Sequence, residues 1–129
     1  MKNPYQQHAT KYQSIDLISR IEGASPHELI SLLFQGARTN ISAALGSMQR
    51  NEVAKKGQHI SKTIAILDGL KSGLNMEAGG EVAKNLYNLY EQLQSLLVKA
   101  NAQNDQVLLN KVNEMLLQVS EAWETIDSK

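Results

Sequence analysis

The chain has 129 residues, enough for one compact domain with its own core and too few for two domains of ordinary size. Its 13 basic and 13 acidic side chains cancel, so no broad electrostatic attraction toward nucleic acid or an anionic membrane is expected. It has no cysteine, which excludes disulfides and fits a reducing compartment. Its N-terminus lacks the apolar stretch of a secretory signal, and no apolar run approaches the ~20 residues that cross a bilayer. We therefore expect a soluble, cytoplasmic protein that neither inserts into membranes nor binds nucleic acid.

The beginning of the chain differs in character from the remainder. Residues 1–10 are polar and aperiodic, whereas Tyr12 and Ile15 open a series of apolar residues spaced for a short helix. We predict that residues 1–23 form an N-terminal arm with a short docking helix. Residues 24–129 are predicted to form a separate helical bundle.

The clearest helix start is Ser25-Pro26-His27-Glu28. The Ser25 hydroxyl can accept a hydrogen bond from the backbone N–H of Glu28, and proline at the first helical position loses no donor that the helix needs. The apolar residues that follow step by 4, 3, 4, 3 and 4, which places them on one side of a helix. They are Ile30, Phe34, Ala37, Ile41, Ala44 and Met48.

Three more segments carry the same period. The second stripe is Val53, Gly57, Ile60, Ile64, Leu67 and Leu74, and it ends at Asn75 before a predicted turn at Gly79-Gly80. The third stripe is Val82, Leu86, Leu89, Leu93, Leu96 and Ala100. The fourth follows Asp105, a predicted N-cap, and consists of Leu108, Val112, Met115, Val119, Ala122 and Ile126. Four such helices joined by short breaks bury their stripes against one another, which predicts an all-α, antiparallel up-down four-helix bundle.

The residue types that catalysis requires do not occur in a suitable arrangement. No nucleophile with its base, metal-ligand set or phosphate-binding loop is recognisable, so we predict no enzyme activity, no cofactor and no metal. One alternative stays open at His59, because His59-Ile60-Ser61-Lys62 resembles the motif of histidine phosphotransfer domains, which are also four-helix bundles. Thr63 stands where that motif has glycine.

The first two helices carry apolar and small residues outside their stripes. Between Leu29 and Gln49 the only charged residue is Arg38, which is unusual for a helix with a solvent-facing side. Surplus apolar surface of this kind usually marks a binding groove. We predict a partner-binding groove formed by Leu29, Leu32, Gly36 and Ala43 of the first helix and Ile66, Leu70 and Gly73 of the second. Tyr12 and Ile15 of the arm are predicted to cover it when it is empty.

Several blocks of the sequence occur in a characteristic order and spacing. Tyr12 is followed by Ser25-Pro26-His27-Glu28-Leu29-Ile30, and later come Glu77 to Leu86, Leu89-Tyr90, Asn104-Asp105 and Glu121-Ala122-Trp123-Glu124-Thr125-Ile126. Their order and spacing resemble the FliS-type flagellin export chaperones over nearly the whole chain.

The resemblance implies a bacterial cytoplasmic protein that binds the disordered C-terminal region of flagellin. Such a protein prevents premature polymerisation and aids delivery of flagellin to the flagellar type III secretion apparatus, whose components are further candidate partners. By the same resemblance, Tyr12 is the tyrosine of an arm that covers the binding surface.

Overall fold

Four α-helices make up nearly all of residues 23–126, the part of the chain that the computed structural model describes. The predicted arm, with Tyr12 and Ile15, lies outside the described residues except for Gly23. The helices are α1 (Pro26–Gln49), α2 (Val53–Ser72), α3 (Met76–Gln103) and α4 (Gln106–Glu124).

Links of three, three and two residues join consecutive helices, so neighbours in sequence run antiparallel. α1 packs against α2 and α4, and α3 packs against the same two helices. The described residues therefore form the predicted all-α up-down bundle, in which the last helix returns to lie beside the first.

Side-chain caps begin three of the four helices. Ser25 accepts a hydrogen bond from the backbone N–H of Glu28 at 3.2 Å, Asn75 accepts from Ala78, and Asp105 accepts from Leu108 at 3.0 Å. Each cap satisfies a backbone donor that has no partner within the helix. The predicted starts at Ser25 and Asp105 are confirmed.

The α1 stripe is confirmed, with its residues from Phe34 to Met48 buried and Ile30 packed against the core. The α2 stripe is confirmed in part, because Ile60 and Leu67 are buried and Ile64 packs against the core. Its buried residues are Lys56, Ile60, Thr63, Leu67 and Leu70, whereas Val53 is exposed. At 100° per residue, the buried side is rotated by about 60° from the predicted one. Leu70, predicted to lie off the stripe, belongs to the core with 2% of its surface exposed.

The third helix starts earlier than its apolar pattern indicates. α3 begins at Met76 and bends at Gly80, whose φ of 52° and ψ of −128° are not helical. Gly79 precedes the bend, and a Cβ atom there would lie 2.6 Å from the Cβ of Ala83. The predicted break at the paired glycines is thus a kink inside α3, for which Gly79 supplies space and Gly80 a backbone conformation that other residues rarely adopt.

Candidate functional site

An apolar cavity of about 300 Å³ opens at one end of the bundle, and we call it the end cavity. It lies where α1 and α3 begin and α2 and α4 end, so all four helices contribute to its wall. None of its lining residues is charged. They are Ile30, Phe34, Leu70, Gly73, Leu74, Val82, Leu86, Tyr90, Val119, Ala122, Trp123 and Ile126.

The kink in α3 borders this cavity. Val82 and Leu86, two and six residues after Gly80 on α3, line the cavity. Gly73 and Leu74 line it from the link that precedes the helix. Val82 is 68% exposed, so this side of the wall also presents apolar surface to solvent. As formed by residues 23–126, the end cavity is therefore an open apolar surface that a further side chain can enter.

Two buried aromatic residues line the cavity toward the core. Phe34 of α1 and Tyr90 of α3 pack as a tilted pair with ring centroids 6.4 Å apart, and each is at most 3% exposed. Burial raises the pKa of the Tyr90 hydroxyl from 10.0 to about 12, because the charged form is poorly solvated there. The core-facing side of the cavity is therefore poorly solvated.

A contact between the first and last helices holds the outer wall. The His27 and Trp123 rings stack with centroids 4.8 Å apart and planes 14° from parallel. His27 Nε2–H donates to the Trp123 carbonyl oxygen at 3.1 Å, and Trp123 Nε1–H donates to the His27 carbonyl oxygen at 3.1 Å. A carbonyl oxygen only accepts, so the first bond requires a proton on Nε2 of His27. We call these contacts the His27–Trp123 clasp.

Polar grooves lie on the other side of the same helix pair. One, of about 480 Å³, is lined by Gly23, His27, Glu28, Ser31, Leu32, Gln35 and Glu124. Ser31 Oγ donates to Glu124 Oε1 at 2.5 Å within it. Trp123 lines the end cavity and His27 lines this polar groove, so the stacked rings stand between an apolar and a polar surface.

The structure brings together only part of the predicted groove. Leu70 and Gly73 line the end cavity, Leu70 from the core rather than from a surface shoulder. Gly36 faces Ile66 across the α1–α2 contact, because a Cβ on Gly36 would lie 3.4 Å from Cδ1 of Ile66. Leu32 lines the polar groove instead.

The other predicted residues do not join the end cavity. Leu29 and Ala43 are partly buried on α1, whereas Tyr12 and Ile15 lie outside the described residues. Sequence reasoning placed Phe34 in a core stripe, and Tyr90 and Trp123 in family blocks without a site role. It missed that they meet at one end of the bundle. The signal that could have revealed the site was the presence of apolar residues near the ends of the four segments that meet at the cavity.

His59 has a structural role between α1 and α2. Its Nδ1–H donates to Oδ1 of Asn40 at 3.3 Å, and Asn40 Nδ2 donates to the Gly36 carbonyl oxygen at 2.9 Å. Thr63 is buried and donates to the His59 carbonyl oxygen at 2.9 Å. These hydrogen bonds account for the polar side chains of His59 and Thr63 at the α1–α2 contact, so a phosphotransfer role is not needed to explain them.

Two further properties concern the kind of site that the bundle offers. In the part of the chain that the structure describes, no three His, Cys, Asp or Glu side chains come together as metal ligands would. Within residues 23–126, no helix combines the length and hydropathy needed to cross a bilayer. The end cavity presents apolar contact surface, which suits recognition of another chain.

Comparison with known proteins gives a consistent result. Residues 7–129 match the family model described as Flagellar protein FliS. The chain is 42% identical over 116 residues to flagellar secretion chaperone FliSB of Pseudomonas aeruginosa, covering 90% of this chain and 92% of the relative. It is 40% identical over 119 residues to flagellar secretion chaperone FliS of Salmonella typhimurium, covering 92% and 88%. The corresponding chaperone of Vibrio cholerae is 33% identical over 115 residues, covering 89% and 85%.

Proposed function

The chain belongs to the FliS family of flagellar secretion chaperones, and from this premise we propose that it binds the C-terminal region of flagellin in the bacterial cytoplasm. While bound, that region cannot pair with other flagellin subunits, so premature polymerisation is prevented. The complex then aids delivery of flagellin to the flagellar type III secretion apparatus.

The observation that carries this proposal is the uncharged lining of the end cavity. An apolar, helix-forming segment presents side chains at i, i+3 and i+4, and burying each large one contributes about 1.5–3 kcal/mol. A volume of about 300 Å³ holds one or two such side chains. Ordering a disordered segment costs at least about 2–5 kcal/mol, so the remainder of the segment must contact further surface. The end cavity therefore acts as an anchor for a longer interface.

The arm has a place in the same scheme. α1 begins at the end of the bundle that holds the cavity, and the arm precedes α1 directly. The eleven residue-to-residue steps from Tyr12 to Gly23 span at most about 35–40 Å when extended, so Tyr12 is tethered within reach of the cavity. Tyr12 and Ile15 cover the apolar surface in the free protein, and flagellin displaces them.

A charge placed at the cavity mouth tests the proposal. Ala122 is exposed on α4 and lines the end cavity, whereas Ala65 is exposed on α2 and lies outside it. Ala122→Glu should weaken binding of a peptide spanning the flagellin C-terminus by at least about tenfold, because a carboxylate loses solvation when an apolar side chain covers it. Ala65→Glu should bind like the unmodified protein.

Isothermal titration calorimetry on both variants, with a scrambled peptide as reference, measures the difference. Thermal melts check that both variants are folded. If the two folded variants bind the peptide equally well, the end cavity is not the anchor. If the unmodified protein does not distinguish the peptide from its scrambled form, flagellin C-terminal recognition is refuted.

A further inference from the structure

We infer that His27 is a positioning residue for the end cavity, holding Trp123 in place as its outer wall and thereby setting how tightly the cavity retains an apolar side chain. For the identity of the natural ligand this inference rests on the proposed function. The physical effect on the cavity does not depend on that identity.

The first support is where the His27–Trp123 clasp lies in the bundle. Loops join α1 to α2, α2 to α3 and α3 to α4, whereas α1 and α4 meet with no loop between them. The two bonds of the clasp join residues 96 positions apart in sequence, at the first turn of α1 and the last turn of α4. Together with the Ser31–Glu124 bond, the clasp therefore joins the two neighbouring helices that no loop connects within residues 23–126.

The second support is that each part of the clasp restrains a different freedom of the indole. Trp123 Nε1–H is bonded to the His27 carbonyl oxygen, which fixes one edge of the ring. The stacked imidazole covers one ring face, which opposes rotation out of the cavity wall. His27 Nε2–H donates to the Trp123 carbonyl oxygen, which fixes the backbone position from which the indole extends. The ring stacking and the Nε2–H bond depend on the His27 side chain, whereas the Trp123 Nε1–H bond uses only the His27 backbone.

The third support is the position of the clasp between two unlike surfaces. His27 lines the polar groove and is absent from the lining of the end cavity, whereas Trp123 lines the end cavity. His27 therefore acts on the cavity through Trp123 and not by contact with what the cavity holds. Without the imidazole, the indole gains freedom to move toward the polar groove, which widens the cavity and weakens its contacts.

The experiment uses two probes on the full-length protein. One is the uncharged dye N-phenyl-1-naphthylamine, which fluoresces in apolar surroundings and accepts energy from an indole; Trp123 is the only tryptophan in the chain. The other is the flagellin C-terminal peptide. The variants are His27→Ala, which removes the stack and the side-chain bond, and His27→Gln, whose amide N–H can replace the Nε2–H donor. His59→Ala and His59→Gln are matched controls at a histidine outside the cavity.

We expect His27→Ala to weaken dye binding about five- to tenfold, to reduce energy transfer from Trp123 and to shift its emission. His27→Gln should recover part of the affinity, since it restores the donor but not the stack. The His59 variants should match the unmodified protein in dye affinity and in emission.

Unchanged dye affinity and Trp123 emission in His27→Ala would overturn the inference, as would an equal loss in His27→Ala and His59→Ala. Should His27→Ala fail to fold, an unchanged emission and dye affinity in folded His27→Gln would overturn it. If the dye follows the expected pattern and the unmodified protein does not bind the peptide, the proposed function fails while the role of His27 stands.

Discussion

The buried lysine of α2 offers a sharp test of how the bundle is held together. Lys56 is 5% exposed, and its ammonium donates to the Asn101 carbonyl oxygen at 3.1 Å and to Asn104 Oδ1 at 3.0 Å. Both acceptors lie at the end of α3, where the helix dipole favours a positive charge. Lys56→Met keeps the apolar stem and removes only these interactions.

The expected cost follows from the two bonds and their surroundings. Hydrogen bonds to a charged group contribute about 1.5–3 kcal/mol each. Asn101 is partly buried and Asn104 exposed, so water can replace part of what the two acceptors lose. The variant also no longer has to remove an ammonium from water, which offsets part of the loss. We expect a net loss of about 2 kcal/mol in the free energy of unfolding, or about 6–10 °C in Tm for a chain of this length.

The neighbouring residue provides the control. Lys55 is exposed and forms a surface ion pair with Glu52 at 3.0 Å, so Lys55→Met should change the free energy of unfolding by about 0.5 kcal/mol or less. Urea unfolding followed by far-ultraviolet circular dichroism compares both variants with the unmodified protein. Equal stabilities of the Lys56 and Lys55 variants would refute the assignment of a stabilising charge to the end of α3.

Two other predictions concern the α3 kink and the interior of the cavity. Gly80→Ala should lower the free energy of unfolding by about 1–3 kcal/mol in a thermal melt, because φ at Gly80 is 52°. The control Gly73→Ala should be neutral or stabilising, because Gly73 has a right-handed conformation with room for a Cβ. Equal melting temperatures of the two variants would contradict backbone strain at Gly80. The raised pKa of Tyr90 means that folding favours the neutral phenol, so this contribution is complete below about pH 10 and is lost as pH rises toward about 12. Tyr90→Phe should lack that component in urea titrations across this range, and parallel curves for both proteins would count against burial as the cause.

The apolar period predicted the four helices because it reports which residues can share a core. On α2 the predicted stripe was offset from the buried side, because a buried polar side chain does not break a core when it has partners in the structure. Lys56 reaches the end of α3, and Thr63 bonds to the carbonyl oxygen of His59 within its own helix. Neither residue was included in the predicted stripe, which therefore lay toward Val53.

The end cavity could not be derived in the same way. Its wall joins Phe34, Tyr90 and Trp123, which lie on three different helices and meet only after the bundle has assembled. The sequence did show surplus apolar residues on the first two helices, and Leu70 and Gly73 do line the cavity. It could not show that Ile66 faces Gly36 across a helix contact, because that depends on how α1 and α2 are rotated about their axes.

The antiparallel arrangement also has a practical consequence for handling the protein. Gly23 and Ile126, where the described chain begins and ends, lie at the same end of the bundle, Gly23 beside the polar groove and Ile126 in the cavity wall. A fluorophore attached at either residue is therefore held at the end of the bundle that carries the cavity. Gln103, exposed in the last turn of α3, lies at the opposite end, so a label attached there leaves the cavity mouth unobstructed.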